Sequence, residues 1–271
     1  MLKINPSLVE KVLVSFIKEE LFKTQFKKAI IGLSGGVDSS VCTFLATKAL
    51  SPAMVIGLIM PYGQTFNQDI DDAREVAQVL GIQSYLIDIS PTIDAYYSNH
   101  PTANKKLKGN KMARERMAIL YDFSAREKAI ILGTSNKTEL LLGYGTIHGD
   151  MACGLNPLGD LYKTQIRQLA AHLGLPQRIC DKTPTAGLWP GQTDEKELGF
   201  TYEKADQILY LLVDERKSKK EVIAAGFQRK EVEKIINLIK KSQFKRRLPP
   251  IPKLSFRTIG HDFLYPYDWE K

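Results

Sequence analysis

The 271-residue chain is 44% hydrophobic and 25% charged, ordinary proportions for a folded protein, which exclude the disordered, collagen-like and coiled-coil classes. Its 38 lysines and arginines against 30 acidic residues leave a formal charge of +8, which favours a polyanion without choosing between nucleic acid and a nucleotide carrying several phosphates. The best apolar run, Ala53–Met60, is far short of the roughly 18 residues a membrane span needs, the first residues lack a signal-peptide core, and Cys42, Cys153 and Cys180 form neither a disulfide framework nor a CxxC metal site, so a soluble protein of the reducing cytoplasm is expected.

Leu8, Val12, Phe16 and Leu21 recur among lysines and glutamates, which predicts an amphipathic helix over Pro6–Lys23. Lys28–Leu33 is a short apolar strand running into Ser34-Gly35-Gly36-Val37-Asp38-Ser39-Ser40, with a helix expected over Val41–Leu50. The same alternation repeats: strand Met54–Met60, helix Asp71–Leu80, strand Ser84–Ile89, helix Asn110–Lys128, strand Ala129–Gly133 and a further helix. Strands alternating with helices predict an α/β fold, a parallel doubly wound sheet covered on both faces, with its ligand beyond the carboxyl ends of the strands. The loops at 34–39, 61–68 and 134–139 are therefore the informative ones, and all are polar. Helices are expected over Tyr162–Leu173, Tyr202–Asp214, Lys219–Ala225 and Lys230–Lys241, with a turn-rich functional segment at 181–200 and an extended tail after Phe244, where prolines stand at 249, 250, 252 and 266. The expected organisation is one domain over 1–271, an α/β core at about 24–180 followed by helical C-terminal additions over 181–271.

The sharpest signal is Ser34–Ser39. Two glycines allow a tight turn with main-chain N–H groups pointing inward, and the helix that follows favours an anion at its start. A plain SGG is more often only a turn with a serine N-cap. Asp38 tips the balance, because a carboxylate beside bare phosphate makes sense as a ligand to Mg²⁺ bridging phosphate oxygens. The turn resembles the SGGxDS loop of the ATP pyrophosphatases, which split ATP between its α and β phosphates and adenylate a substrate. Further runs narrow the resemblance: Gly109-Asn110…Arg114-Glu115-Arg116-Met117, Gly133-Thr134-Ser135-Asn136…Glu139, Gly143-Tyr144-Gly145-Thr146…His148-Gly149-Asp150, Pro184-Thr185-Ala186 and Gln192-Thr193-Asp194-Glu195…Gly199. In this order and spread, they are similar to the ammonia-dependent NAD synthetases, whose sheet is of the adenine nucleotide alpha hydrolase-like kind.

The resemblance implies a ligase that converts deamido-NAD to NAD with ATP and ammonia through an acyl adenylate. ATP contacts carry over to Gly32, Leu33, Ser34, Gly35, Gly36, Val37, Asp38, Ser39, Thr134, Lys163 and Thr185; Lys163 would otherwise read as a snorkelling surface lysine. Asp38 and Glu139 carry over as Mg²⁺ ligands, although a glutamate in a first helical turn is often only a dipole partner. Asn110, Arg114, His148, Asp150 and Lys245 carry over to deamido-NAD, with Asp38 and Asp150 at the reacting centre and His148 as a polar liner. A carboxylate with an ordinary pKa of about 4 is a poor base for ammonium, so binding is the expected role of Asp150. Asn110 and Arg114 share a helix face, whereas Lys111 and Arg116 read as a solvated charged face. Asp194 and Glu195 are expected to order over bound ligand. Phe244-Lys245-Arg246-Arg247 departs from the histidine that precedes Lys-Arg in many relatives; it reads as a solvated basic tail or as phosphate attraction by Lys245.

Free ammonia is the expected nitrogen donor, since the nucleotide loop begins at residue 34 and leaves no room for a glutamine-hydrolysing unit before it. A homodimer is expected from the resemblance and from apolar faces on the N-terminal and 110–128 helices. An RNA-modifying adenylating enzyme would suit the charge, but no paired cysteines or aromatic platform appear, so no nucleic acid partner and no membrane association are expected. A non-catalytic ATP sensor would not need both Asp38 and Glu139.

Overall fold

The structure is a computed structural model that describes residues 2–24, 26–63, 67–185, 187–189, 191–260 and 262. The elements run α1 (Pro6–Phe22), β1 (Lys28–Gly32), α2 (Val37–Leu50), β2 (Val55–Ile59), α3 (Asn67–Leu80), β3 (Gln83–Leu86), α4 (Ser90–Ser98), α5 (Lys105–Glu127), β4 (Ala129–Ile131), α6 (Lys137–Leu142), α7 (Lys163–Leu173), α8 (Gln177–Cys180), α9 (Asp194–Leu198), α10 (Tyr202–Leu209), α11 (Lys219–Ala224) and α12 (Arg229–Lys241). The four strands form a parallel sheet in the order β3-β2-β1-β4. Side chains alternate across it as the pleat requires. Ala29, Ile31 and Leu33 of the β1 run pack with Ile17, Val41, Leu45 and Ile166 on one face, while Ile30, Ile56, Leu58 and Ile131 meet Ile93, Met112, Met117 and Leu120 on the other. Both faces are thus covered, by α1, α2, α3 and α7 on one side and α4 and α5 on the other. A further cluster joins Leu142 and Tyr162 of the core to Leu198, Tyr202, Ile208, Val232 and Ile235 of the C-terminal helices.

Several expectations shift. α2 begins at Val37 with Gly36 as its N-cap, so Ser39 and Ser40 lie inside the first turn instead of opening the helix. Their hydroxyls fold back onto the Gly36 carbonyl. Pro91 sits in the first turn of α4, where its missing N–H costs nothing. α5 starts at Lys105, capped by Asn104, ahead of the expected Asn110. The segment 181–200 is not wholly irregular: it contains α9, closed by Gly199 in a left-handed conformation. The Tyr202–Asp214 stretch splits into α10 and a π-helical turn, Tyr210–Asp214. Residues 64–66 of the 61–68 loop, Ala186 of the Pro-Thr-Ala run and the tail proline at 266 lie outside the described residues. Among the described residues no helix is long and apolar enough to cross a membrane.

Candidate active site

The carboxyl ends of β1, β2 and β4 open into a cavity of about 1210 Å³ that is also walled by α5, the 143–152 turn and the 182–198 segment. Parallel strands all point their carboxyl ends the same way, so the loops that follow them necessarily meet there. Of the predicted contacts, Gly32, Leu33, Ser34, Gly36, Val37, Asp38, Ser39, Asn110, Arg114, Thr134, Glu139, Asp150, Lys163, Thr185 and Lys245 line it. Gly35, between Ser34 and Gly36, does not line it. His148 does not line the cavity: it is exposed in a tight turn with φ +61°, which corrects its reading as a liner.

The Ser34–Ser39 turn is held by its own hydroxyls. Ser34 and Ser39 Oγ lie 3.0 Å apart, and the Ser34 and Gly36 amides donate to Ser39 Oγ and Ser34 Oγ, each at 3.3 Å. Gly35 has φ +74°, and a Cβ there would stand 2.3 Å from the Asp69 carbonyl oxygen, so only glycine fits. Val37, Asp38 and Ser39 are the first helical residues, whose amides have no intrahelical acceptor and point toward an incoming anion. On the outer side Lys182 donates to the Gly35 carbonyl at 3.1 Å while pairing with Asp69 at 2.5 Å and Asp72 at 2.6 Å. Arg178 reinforces this latch through Asp72 at 2.9 Å.

Asp38 faces the cavity from α2. One carboxylate oxygen accepts from Asn136 Nδ2 at 2.9 Å and the other pairs with Lys163 Nζ. Lys163, in the first turn of α7, is buried, which removes the snorkelling alternative. Its ammonium also lies 3.9 Å from Glu139 and 5.4 Å over the ring of Tyr202. Burial lowers the Lys163 pKa, but Asp38 and then Glu139 outweigh it and hold the lysine above its ordinary value. Asn136 closes the arrangement with a reciprocal capping box, accepting the Glu139 amide at 3.0 Å while its own amide donates to Glu139 Oε2 at 3.1 Å. Burial, followed by the negative charge of Asp38, pushes Glu139 up to about 8. Asp194 of α9 is buried beside them and accepts from Tyr144 and Tyr202 hydroxyls, each at 2.9 Å. Among the described residues no group of three or more His, Cys, Asp or Glu is arranged to hold a metal.

At the other end, Thr146 Oγ1 donates to Asn110 Oδ1 at 2.9 Å, its amide donates to Asp150 Oδ1 at 2.8 Å, and Arg114 Nε donates to the Ile147 carbonyl at 3.2 Å. The 143–150 turn is thereby fastened to α5. Asp150 opens to the cavity, but the protein around it desolvates the carboxyl and raises its pKa from the ordinary value despite the Thr146 amide. The ordinary value assumed from sequence therefore does not hold.

Two readings of charged residues are corrected. Lys111 pairs with Glu115 at 2.5 Å on the helix exterior, as expected, but Arg116 lines the cavity and donates from Nε to the Met60 carbonyl at 2.8 Å. Burial lowers its pKa to about 10, which still leaves it a cation at neutral pH. The basic tail is not simply solvated. Lys245 Nζ donates to the Gly143 and Gly145 carbonyls at 2.9 and 2.7 Å, and Arg246 donates to the carbonyls of Leu140, Leu141 and Ile239, satisfying helix ends as cations do. Sequence reasoning also missed Asn136 as a site residue; its signal was the Asn-x-x-Glu spacing of a capping box. Lys182 carried no comparable signal.

The NAD synthase family model matches residues 9–249. The chain is 51% identical over 270 residues to the NH(3)-dependent NAD(+) synthetase of Trichlorobacter lovleyi, covering 100% of this chain and 99% of that one. Among solved structures, the Francisella tularensis protein described as an NMN synthetase superposes with a TM-score of 0.83 at 35% identity, covering 93% of this chain and 100% of that one. The NH3-dependent NAD synthetase from Campylobacter jejuni gives 0.79 at 31%, with the same coverage. A glycine-turn cavity at the carboxyl ends of a parallel sheet and a family match over most of the length converge: the chain belongs to the NAD synthase family.

Proposed function

We propose that the chain amidates deamido-NAD to NAD with ATP and ammonia, as one synthetase unit. The observation that carries this is the meeting, in one cavity, of a phosphate turn, an acid–lysine cluster and an Asn110–Arg114–Asp150 group drawn from distant parts of the chain. A cavity of about 1210 Å³ exceeds the 300–1,000 Å³ usual for a single ligand and suits two nucleotides side by side.

A carboxylate does not exchange its oxygen for ammonia unaided. In the first step the pyridine carboxylate oxygen bonds to the α-phosphorus, the bond from that phosphorus to the bridging oxygen breaks, and pyrophosphate leaves. In the second, ammonia adds to the acyl carbon, loses a proton, and AMP departs as the amide forms. The Ser34–Ser39 turn holds the phosphates that leave; Lys163 and Thr185 border them and Thr134 lies past β4. Asn110 and Arg114 orient the pyridine end. Asp150, with its raised carboxyl pKa, accepts a proton from ammonium more readily than an ordinary aspartate would. The 182–198 segment limits water access to the adenylate, which would otherwise hydrolyse.

Asp38 and Glu139 fit a magnesium ion, which is usually held by one or two carboxylates together with substrate phosphates. Burial and then the charge of Asp38 disfavour the ionised Glu139 carboxyl, and a divalent cation at this place would offset both. When bound, magnesium supplies charge neutralisation on the phosphates. We also infer a homodimer: Leu8 and Val12 are 58% and 57% exposed on the same face of α1, a surface a second copy can cover. The three cysteines are free, which supports a reducing compartment such as the cytoplasm.

The name of the Francisella neighbour gives a second reading, amidation of the pyridine mononucleotide. The deciding assay incubates the purified chain with ATP, Mg²⁺ and ammonium and either deamido-NAD or nicotinate mononucleotide, following amide product, AMP and pyrophosphate. Formation of NAD with the dinucleotide preferred by kcat/KM supports the proposal. Preference for the mononucleotide would replace it with the second reading, and AMP and pyrophosphate without amide would refute both.

A further inference from the structure

The cations on the cavity wall are not equivalent. Lys163 is neutralised by Asp38, and Lys182 by Asp69 and Asp72. Lys245 gives two of its N–H groups to backbone carbonyls. Arg114 sits exposed at the rim, held to Ile147. Arg116 differs from all of these. Its helix neighbours Met112, Met117 and Leu120 are buried core, and it has no carboxylate within 4.0 Å among the described residues. Its one hydrogen bond there runs from Nε to Met60. A guanidinium has five N–H donors, so four remain open, in the fork that matches two phosphate oxygens.

Where the fork stands follows from the sheet register. Gly32 of β1 pairs with Leu58 of β2, and the Leu33 amide continues the ladder to the Leu58 carbonyl at 2.8 Å. Extending that register by two residues sets Met60 beside Ser34, the first residue of the phosphate turn. The group that anchors Arg116 is therefore about one strand spacing, roughly 4.8 Å, from the start of the cradle. Asp150 lines the same cavity, and its charge acts on the guanidinium. Arg116 thus shares one cavity wall with the turn that holds the leaving phosphates and the aspartate at the amidation end. That is where phosphate and carboxylate must meet.

We propose that Arg116 is a catalytic residue that grips two oxygens of the nucleotide α-phosphate while the pyridine carboxylate bonds to that phosphorus. This rests on the adenylation chemistry proposed above. A carboxylate approaching a phosphate brings two anions together, and a cation already desolvated and fixed at Nε offsets that repulsion without reorganising. Leaving a partly buried guanidinium without a carboxylate costs stability in the empty protein. A protein that needed Arg116 only as a strut would do better with an apolar side chain at that position.

The test uses the full chain with Arg116→Met, Arg116→Lys and Arg116→Ala, measuring NAD formation and, without ammonium, pyrophosphate–ATP exchange dependent on deamido-NAD. Exchange reports adenylation alone. The expected result for Arg116→Met is a 100- to 1,000-fold fall in both kcat and exchange, the range for losing one fixed donor to a developing charge. KM for ATP and for deamido-NAD should each stay within about threefold, and the melting temperature should not fall. Arg116→Lys should keep more exchange than Arg116→Met, and millimolar guanidinium should restore part of the Arg116→Ala exchange while methylammonium does not. Exchange within threefold of the unsubstituted chain in Arg116→Met would overturn the proposal. So would a lowered melting temperature with no guanidinium rescue, which marks a strut. A rise confined to the KM for deamido-NAD would overturn it by placing the guanidinium on the pyridine carboxylate. An unsubstituted chain that exchanges pyrophosphate but forms no NAD would refute the amidation reading alone, and the exchange comparison would still decide Arg116.

Discussion

Asn136 does two jobs that substitution can separate. It is fully buried, its Oδ1 caps α6 by accepting the Glu139 amide, and its Nδ2 donates to the Asp38 carboxylate at 2.9 Å. Replacing Asn136 by Ala removes both. Loss of an N-cap costs about 1 kcal/mol, and loss of a hydrogen bond to a charged group about 1.5–3 kcal/mol, giving about 3 kcal/mol together. Asn136→Ser keeps a capping hydroxyl but cannot reach Asp38, so it should lose about 2 kcal/mol. Urea unfolding at neutral pH, with unchanged slope, reads both values. Activity divides differently. Both variants free one oxygen of Asp38, so both should raise the magnesium concentration needed for half-maximal rate by about tenfold, in line with losing an outer-shell partner of a metal ligand. Asn136→Ser with unchanged magnesium dependence would refute the claim that Asn136 orients Asp38, and Asn136→Ala losing under 0.5 kcal/mol would refute the burial argument as well.

Gly35→Ala must either leave φ +74° or press its Cβ into the Asp69 carbonyl, so the KM for ATP should rise at least tenfold in steady-state assays. For Asp72, burial pushes the carboxyl up, but the bonds from Lys182, Gln68 and Arg178 prevail and hold it below its ordinary value. A depressed folded-state pKa contributes stability that is present above about 3.9 and lost as pH falls through the lower folded value. Asp72→Asn should therefore be less stable at pH 7 and show a flatter decline below pH 4, followed by thermal unfolding against pH. Lys245→Met should lower stability by about 2 kcal/mol in urea, because it leaves the Gly143 and Gly145 carbonyls without their cationic donor.

The sheet and its covering helices were legible because burial leaves a mark in sequence. Val55–Ile59 is buried at every position, and an unbroken apolar run between turn residues can be little else in a chain of this pattern. Helix starts were harder. The polar residues that open α5, Lys105 to Gly109, carry no apolar period, and their helical state comes from the Asn104 cap and the packing of Gly109 against Leu188 and Trp189. The site was legible in its motifs and not in its connections. Ser34–Ser39 and Asn136–Glu139 can each be recognised alone, but nothing in the spacing of 98 residues between Asp38 and Asn136 says that the two side chains touch.

The cations make the same point more sharply, and they decide what the cavity can do. In sequence Lys163, Lys182, Lys245, Arg114 and Arg116 are five basic residues, each at home on a solvated surface. Three are committed to protein partners. A lysine ammonium buried between carboxylates fixes those carboxylates in place, and one that satisfies helix carbonyls fixes a turn. The first no longer contributes a full positive charge to the space in front of it. The overall +8 is therefore a poor guide to the field inside the cavity, where carboxylates offset Lys163 and Lys182. On the wall of the cavity Arg114 and Arg116, two positions apart on one helix, carry no ion pair among the described residues, and each is anchored through Nε to a backbone carbonyl. Two nucleotides whose anionic groups must be driven together need their opposing charge at the point of contact and not spread over a surface, and the role proposed for Arg116 places it there.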